Sequence, residues 1–281
     1  MTSREYREES RRRWSVGAAG WEQRADWLRK ATMPVSAWMI DAIRPQPGHT
    51  LLELSAGPGD TGFLAAELIQ PGGTLITSDV VPEMLTVAQR RAEAQGVRNV
   101  RFRQIDAEVI DQPAASIDGV LCRWGYMLMA DGEAALRETR RILRAGGRLA
   151  LAAWTGPNDN QWSAIPSSEL VSRGLSESPD PEQPGQFAWA ADGTVAEQLE
   201  AGGFVDHEVS AVPFTITYAS VDDWWDATTA LSMRFADAAA AMDAATEQEV
   251  KAALGERAAE WTAADGSLAI PARTWVAAAT A

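Results

Sequence analysis

A glycine-rich turn between a short apolar run and a helical pattern constrains the fold of this chain more than any other feature. Residues 51–55 read LLELS, residues 57–62 read GPGDTG, and FLAAELIQ follows. A buried strand, a tight turn and a helix produce this pattern, because glycine permits the turn and a helix starts directly after it. The segment therefore predicts a strand–turn–helix unit whose turn can approach a ligand closely.

The same alternation of strand and helix continues to about residue 155. Further strands are predicted at TLITSD, NVRFRQID, IDGVLCRW and RLALAAW. Helices are predicted from Pro82 to about Gln95 and after Asp131, which is the expected N-cap of its helix. Stacked βαβ units of this kind form a doubly wound sheet of mostly parallel strands.

After a loop-rich stretch, the C-terminal half of the chain again contains strand patterns, which we expect to join the same sheet. Strand signals recur at 207–218 and 267–279, and the alanine-rich residues 222–262 between them have a helical pattern. We therefore predict an α/β fold with a seven-stranded sheet and a helical insertion, or lid, before the last strand. Residues 1–49 are expected to form an N-terminal helical cap on the main domain, residues 50–281.

Composition excludes several classes of partner and of chemistry. Lys and Arg number 25 against 39 Asp and Glu, a net charge of −14, which disfavours nucleic acid and anionic membranes as partners. One cysteine, Cys122, and two histidines, His49 and His207, exclude an internal disulfide and a Cys/His zinc cluster, so no metal site is predicted. His49 precedes the first strand and His207 opens a later one, so both should lie at the amino edge of the sheet.

No apolar run is long enough to span a membrane, and the N-terminus does not resemble a secretory signal. A cytoplasmic protein with a small-molecule partner and no membrane span is expected. A homodimer is left open.

Three carboxylates stand where consecutive strands end. Glu53 lies in the first strand, Asp79 ends the second and Asp106 ends the third. Open α/β sheets bind ligands at this carboxyl edge. Glu53 would repel a pyrophosphate but suits an ammonium or sulfonium group, Asp79 can accept both hydroxyls of a ribose, and Asp106 can accept from an adenine amino group.

With these residues the sequence resembles the class I S-adenosylmethionine-dependent methyltransferases, in particular the group similar to ubiquinone/menaquinone biosynthesis methyltransferases. The resemblance is carried by ELSAGPGDTG, SDVVPEML, QIDAE, IDGVLCRWGYML and RETRRILRAGGRLALAAW. It covers residues 50–155 and implies a Rossmann-like methyltransferase fold with S-adenosylmethionine as cofactor. One departure is that Thr61 replaces the third glycine of the loop, with Gly62 one residue later.

The resemblance also implies a set of site residues. The loop would surround the methionine part of the cofactor. Residues at the end of the second strand would bind the ribose, and residues at the end of the third strand would contact the edge of the adenine. The cofactor residues, with Glu53 included on the argument above, are Trp21, Glu53, Ser55, Ala56, Gly57, Gly59, Asp79, Val80, Met84, Asp106, Ala107 and Arg123. Arg123 could meet a carboxylate or simply pair with a nearby acid.

Residues after the fourth and fifth strands should face the substrate. The predicted substrate residues are Trp124, Tyr126, Met127 and Trp154. A core or lid role for Tyr126 is equally compatible with its position. No catalytic residue is assigned, because methyl transfer from a sulfonium mainly needs alignment and exclusion of water.

The sequence thus predicts a methyltransferase acting on the O, N or C of a small, partly aromatic or apolar metabolite. A nicotinamide-dependent oxidoreductase with the same glycine motif is one alternative. A non-catalytic cofactor-binding module of the same fold is another.

Overall fold

A single seven-stranded sheet organises the chain in this computed structural model, which describes residues 2–180 and 183–281. The strands are β1 (Thr50–Glu53), β2 (Thr74–Asp79), β3 (Val100–Gln104), β4 (Ile117–Arg123), β5 (Leu143–Trp154), β6 (Asp206–Tyr218) and β7 (Leu268–Thr280). Their order across the sheet is β3-β2-β1-β4-β5-β7-β6. The predicted α/β fold and mostly parallel seven-stranded sheet are confirmed.

Ten α-helices flank this sheet within the described ranges. They are α1 (Ser3–Ala31), α2 (Met33–Ile43), α3 (Asp60–Leu68), α4 (Pro82–Gln95), α5 (Gly132–Ile142), α6 (Gln161–Ser172), α7 (Thr194–Ala201), α8 (Val221–Leu231), α9 (Met233–Ala240) and α10 (Ala244–Arg257). None of the helices in this part of the chain is both long and apolar enough to cross a membrane.

The sheet reverses its winding direction beside β1. The first strand pairs in parallel with β2 on one side and with β4 on the other, while β3 lies at the sheet edge. The reversal opens a crevice at the carboxyl ends of β1 and β4, which is where open α/β sheets bind ligands. The fold therefore places the glycine-rich turn after β1 at the mouth of this crevice.

Local signals set most element boundaries. Pro82 begins α4, and Gly96 ends it in the left-handed conformation with φ of 73°. The Asp131 carboxylate accepts a hydrogen bond from the Ala134 N–H at 2.8 Å, so the predicted N-cap of α5 is confirmed. Two predicted strands have other bounds. The strand predicted at RLALAAW begins earlier, at Leu143, because that residue still pairs with β4, and β3 ends at Gln104, before the predicted end at Asp106.

The last strand runs against its neighbours. β7 pairs antiparallel with both β5 and β6, so β6 is oriented like the parallel strands. His207 in β6 lies opposite Ala279, near the amino ends of those strands, and His49 directly precedes β1. Both histidines therefore lie at the predicted edge, across the sheet from the glycine-rich turn.

Helices form in both regions predicted to be helical outside the βαβ units. α1 and α2 precede β1, and α8 to α10 lie between β6 and β7. α1 packs against α8 and α4. The division into a cap at 1–49 and a domain at 50–281 with a lid at 222–262 remains a prediction. Residues 1, 181 and 182 within those ranges lie outside the described residues.

Candidate functional site

A cleft opens at the carboxyl ends of β1, β2 and β4, beneath α1. We call it the cofactor cleft. It brings together most residues predicted for the cofactor. Those that line it are Trp21, Glu53, Ser55, Ala56, Gly57, Asp79, Val80, Met84, Asp106, Ala107 and Arg123. Trp124 is the predicted substrate residue that also lines it.

The glycine-rich turn forms the floor of the cofactor cleft. Ser55 and Gly57 both have positive φ, 49° and 52°, and no atom lies within 4 Å of a Cβ built at Gly57. Gly57 therefore offers its backbone to a ligand at close range. Gly59 does not line the cleft: it caps α3 at φ of 86°, and the Phe63 ring occupies the space a Cβ would need.

The shifted third glycine has a structural reason. The Gly62 N–H donates to Glu53 Oε1 at 2.8 Å, and a Cβ at Gly62 would clash with the Glu53 carboxylate. The hydroxyl of the neighbouring Thr61 lies 2.9 Å from Ser36 Oγ of α2. The backbone path at this departure is therefore set by the buried carboxylate below it.

Glu53 is a buried carboxylate with an unused acceptor. Only 4% of the residue is exposed, and Oε2 has no hydrogen-bond partner among the described residues. Burial raises the pKa of Glu53 to about 8, although the bond from Gly62 and the nearby Arg123 act in the opposite direction. A cationic group entering the cleft would find an oxygen ready to accept from it.

Asp79 is held by the turn itself. Its Oδ2 accepts from the Gly57 N–H and its Oδ1 from the Val81 N–H, both at 3.0 Å. Burial raises the pKa of Asp79 despite these backbone hydrogen bonds. Each carboxylate oxygen has a second lone pair, so the side chain can still accept from two hydroxyls.

Two arginines of α1 pair with acids that follow β3 at the cleft. Arg11 Nη2 lies 3.0 Å from Asp106 Oδ2. Arg7 Nε donates to Glu108 Oε2 at 3.0 Å, and its Nη2 makes a second, short contact with the same oxygen. Asp106 is therefore at the predicted edge of the cleft, but it is engaged by α1.

Arg123 is fixed at the other end of the cleft. Its Nη1 donates to the hydroxyls of Thr32 and Ser36. Its guanidinium lies 4.9 Å from the centre of the Trp124 ring, which stacks on Trp154 with centroids 4.2 Å apart. Burial lowers the pKa of Arg123, opposed by Asp60 and Glu53.

Three predicted substrate residues lie outside the cofactor cleft. Tyr126 is buried, and its hydroxyl bonds to Thr139 Oγ1 at 2.7 Å. Met127 is buried in the same short 3-10 helix, and Trp154 packs behind Trp124 and against Phe214. The short helix after β4 holds Tyr126 and Met127 in the core, whereas Trp154 is the last residue of β5. The role of all three at the substrate remains a prediction. Trp124 has φ of 59°, which aims its ring differently.

Sequence reasoning missed one face of α1. This face contributes Tyr6, Arg7, Ser10, Arg11 and Trp14 to the cleft, in addition to the predicted Trp21. Spacings of three and four residues bring these side chains to one side of a helix, so the shared face was readable in the sequence, whereas the packing of that face over the cleft was not. The other missed lining residues are Pro58, Ile105, Glu108, Gly125, Leu128 and Ala130.

Comparison with known proteins agrees with this geometry. Residues 34–160 match the model of the ubiE/COQ5 methyltransferase family. This segment is similar to that family. It runs from the start of α2 past the end of β5, so the matched segment includes the glycine-rich turn, the three strand-end carboxylates and Arg123.

Individual relatives are similar to this chain over about half of its length or more. The chain is 34% identical to demethylmenaquinone methyltransferase of Thermus thermophilus over 131 residues, which cover 47% of this chain and 55% of that relative. It is 30% identical to nocamycin O-methyltransferase of Saccharothrix syringae over 182 residues, covering 62% of this chain and 65% of that relative. The chain thus spans between 55% and 65% of the length of these curated relatives.

Solved structures extend the likeness of fold to most of the chain. The crystal structure of the YcgJ protein from Bacillus subtilis superposes with a TM-score of 0.58 at 20% identity, covering 87% of this chain and 97% of that one. The predicted Rossmann-like methyltransferase fold and the predicted relationship to the ubiquinone/menaquinone group are confirmed. Nothing among these relatives supports the nicotinamide-dependent alternative or the non-catalytic module.

Proposed function

We propose that this chain is an S-adenosylmethionine-dependent methyltransferase that acts on the O, N or C of a small, partly aromatic or apolar metabolite. The observation that carries the proposal is the cofactor cleft. Glu53, Asp79 and Asp106 line it together with the open Gly57 turn. Similarity of the matched segment to a methyltransferase family supports the same reaction.

The residues present fit this cofactor. The orphaned Glu53 Oε2 is a buried acceptor for an ammonium group, and Arg123 is a cation for a carboxylate. Asp79 would hold the ribose hydroxyls, and Val80 and Met84 would flank the adenine, with Trp21 in the apolar cluster beside them. These assignments follow the predicted roles, each at a position that lines the cleft.

The bound cofactor supplies a methyl group on a sulfonium, which is open to in-line displacement. The chain has to align the acceptor and exclude water, a task suited to the apolar wall of Trp14, Trp124, Leu128 and Met129. The described lining contains no histidine, lysine or cysteine, and the hydroxyl of Tyr6 donates to the Leu128 carbonyl at 2.8 Å. We assign no catalytic base and expect acceptors that ionise readily or need none.

The names of the relatives support a small acceptor. One acts on demethylmenaquinone and another is an O-methyltransferase named for nocamycin. An acidic chain with a net charge of −14 supports the absence of a nucleic-acid partner. We further propose a cytoplasmic location, and light scattering after gel filtration will decide between monomer and homodimer.

Calorimetry with S-adenosylhomocysteine and with NADH tests the cofactor. We expect binding of the first and none of the second, and the reverse result would overturn the proposal. Transfer of a tritiated methyl group from S-adenosylmethionine to a panel of quinols, phenols, amines and carboxylic acids then tests the reaction. Binding without transfer to any acceptor in the panel or in a metabolite extract would favour the non-catalytic module.

A further inference from the structure

A buried polar cluster behind the cofactor cleft surrounds Arg123. Thr32 joins α1 to α2, and its Oγ1 donates to the Leu28 carbonyl at 2.9 Å. With its hydrogen committed there, Thr32 Oγ1 can only accept from Arg123 Nη1. Thr32 is fully buried, so water does not substitute for this acceptor.

Ser36 provides a second hydroxyl acceptor for Arg123 Nη1. Its Oγ accepts from Arg123 Nη1 at 3.3 Å and lies 2.9 Å from Thr61 Oγ1. Because Ser36 accepts from the guanidinium, its own hydrogen is free to go to Thr61 at the start of α3. The two hydroxyls thereby tie Arg123 to the α1–α2 junction and to the helix after the glycine-rich turn.

Asp60 supplies charge to Arg123 without using its donors. The Asp60 side chain is fully buried, and its Oδ1 accepts from Arg91 Nη2 at 2.6 Å. Its Oδ2 has no hydrogen-bond partner among the described residues and lies 3.9 Å from Arg123 Nη2. The carboxylate therefore lies between two guanidinium groups and attracts Arg123 on the side of Nη2 without forming a hydrogen bond to it.

This arrangement leaves the other edge of the guanidinium free. Nε and Nη2 of Arg123 make no hydrogen bond in the part of the chain that the structure describes, and Arg123 lines the cleft. The guanidinium carbon lies 4.9 Å from the centre of the Trp124 ring, which gives the group a cation–π contact. A planar fork with one edge anchored and the other open suits a carboxylate, which can accept two parallel hydrogen bonds.

We propose that Thr32, Ser36 and Asp60 are positioning residues that hold Arg123 to receive the carboxylate at the amino-acid end of the cofactor, while Glu53 receives the ammonium. The inference rests on the proposed function. It specifies which chemical group of the cofactor binds at the Arg123 end of the cofactor cleft. A site for a zwitterion needs opposite charges a short distance apart. Glu53 and Arg123 line one cleft, and each influences the titration of the other.

Two ligands separate positioning from a general structural role. S-adenosylhomocysteine has the amino-acid end, whereas 5′-methylthioadenosine has the same adenosine thioether without it. Thr32→Val keeps the shape but removes the acceptor. It should weaken the binding of S-adenosylhomocysteine about tenfold, the usual effect of losing a hydrogen bond to a charged group. The affinity for 5′-methylthioadenosine should change less than about twofold. Thr32→Ser, which keeps the hydroxyl, should restore binding of both ligands.

Thr139→Val is the matched control. Thr139 is also fully buried, donates to the carbonyl four residues earlier and bonds to one distant side chain, that of Tyr126. Its loss should affect the two ligands equally. Ser36→Ala gives an independent test at the second hydroxyl, with the same selective loss expected.

The inference is overturned if Thr32→Val and Ser36→Ala weaken the binding of both ligands equally, or weaken the binding of neither. It is also overturned if Thr139→Val produces the same selective loss. Failure of the proposed cofactor gives a different result, because the unaltered protein would then bind neither ligand. Failure of the proposed transfer reaction would leave binding of both ligands intact.

Discussion

The buried Glu53 carboxyl should make cofactor affinity depend on pH. Burial raises the pKa of Glu53 to about 8, so the free protein carries it mostly protonated at neutral pH. A protonated carboxyl cannot form an ion pair with the ammonium group of the cofactor. Raising the pH ionises Glu53, so the affinity should increase as the pH rises toward 8 and level off above it.

The size of the effect follows from the ionised fraction. With a pKa of about 8, roughly 1% of Glu53 is ionised at pH 6 and about half at pH 8. Apparent affinity scales with the fraction of protein that is competent to bind. If only the ionised form binds, the association constant for S-adenosylhomocysteine should increase about fiftyfold between these two pH values.

The assay is calorimetry at half-unit steps from pH 6 to pH 8.5, with 5′-methylthioadenosine as the reference ligand. Asp79 also has a raised pKa, and both ligands carry the ribose that it is proposed to hold, so the ratio of the two affinities isolates Glu53. Glu53→Gln should bind S-adenosylhomocysteine at every pH about as weakly as the unaltered protein does at pH 6. A constant ratio in the unaltered protein would refute the pairing of Glu53 with the ammonium group.

Gly20→Ala should lower the free energy of unfolding by about 1–3 kcal/mol in a denaturant titration, because a Cβ would overlap the α8 backbone. Gly255→Ala should raise the free energy of unfolding by about 0.5–1 kcal/mol, because a Cβ fits there and alanine favours a helix over glycine. Equal shifts would contradict the close contact of α1 with α8. Asp79→Ala should weaken S-adenosylhomocysteine binding by about 1–3 kcal/mol in calorimetry, and unchanged affinity in a folded variant would remove Asp79 from the ribose site. Arg11→Gln should strengthen that binding by up to about fivefold at low salt, because it frees the adenine-side carboxylate, whereas Arg12→Gln, whose partner lies on α1 itself, should not change it. Weaker binding in Arg11→Gln would mean that this guanidinium completes the site.

The strands and the carboxylates at their ends could be predicted because their signals are local. β2 and α4 have the predicted bounds, since apolar runs, Pro82 and Gly96 mark them directly in the sequence. Glu53 and Asp79 end up in one cleft because parallel neighbours bring the ends of their strands to the same edge. This inference needs only the order of the elements.

Side chains near the site in sequence were harder to place. Tyr126 and Met127 follow Trp124 closely, yet the short helix after β4 turns them into the core. The backbone just before this helix has a positive φ at Trp124, which nothing in the local residue pattern requires. Arg7 and Arg11 were missed for another reason: they reach the cleft only through the packing of α1 over it.

By itself, the sequence determined the α/β class, the glycine-rich turn and the acids at the strand ends, because residue periodicity, glycine positions and strand order are local properties of the chain. Only the tertiary structure decided that Thr32, Ser36 and Asp60 surround Arg123. These residues come from separate helices and a helix junction, and the distances between such elements depend on how the whole core packs. The same packing buries Glu53 and leaves one of its oxygens without a partner, and this is the feature that links the fold to its proposed cofactor.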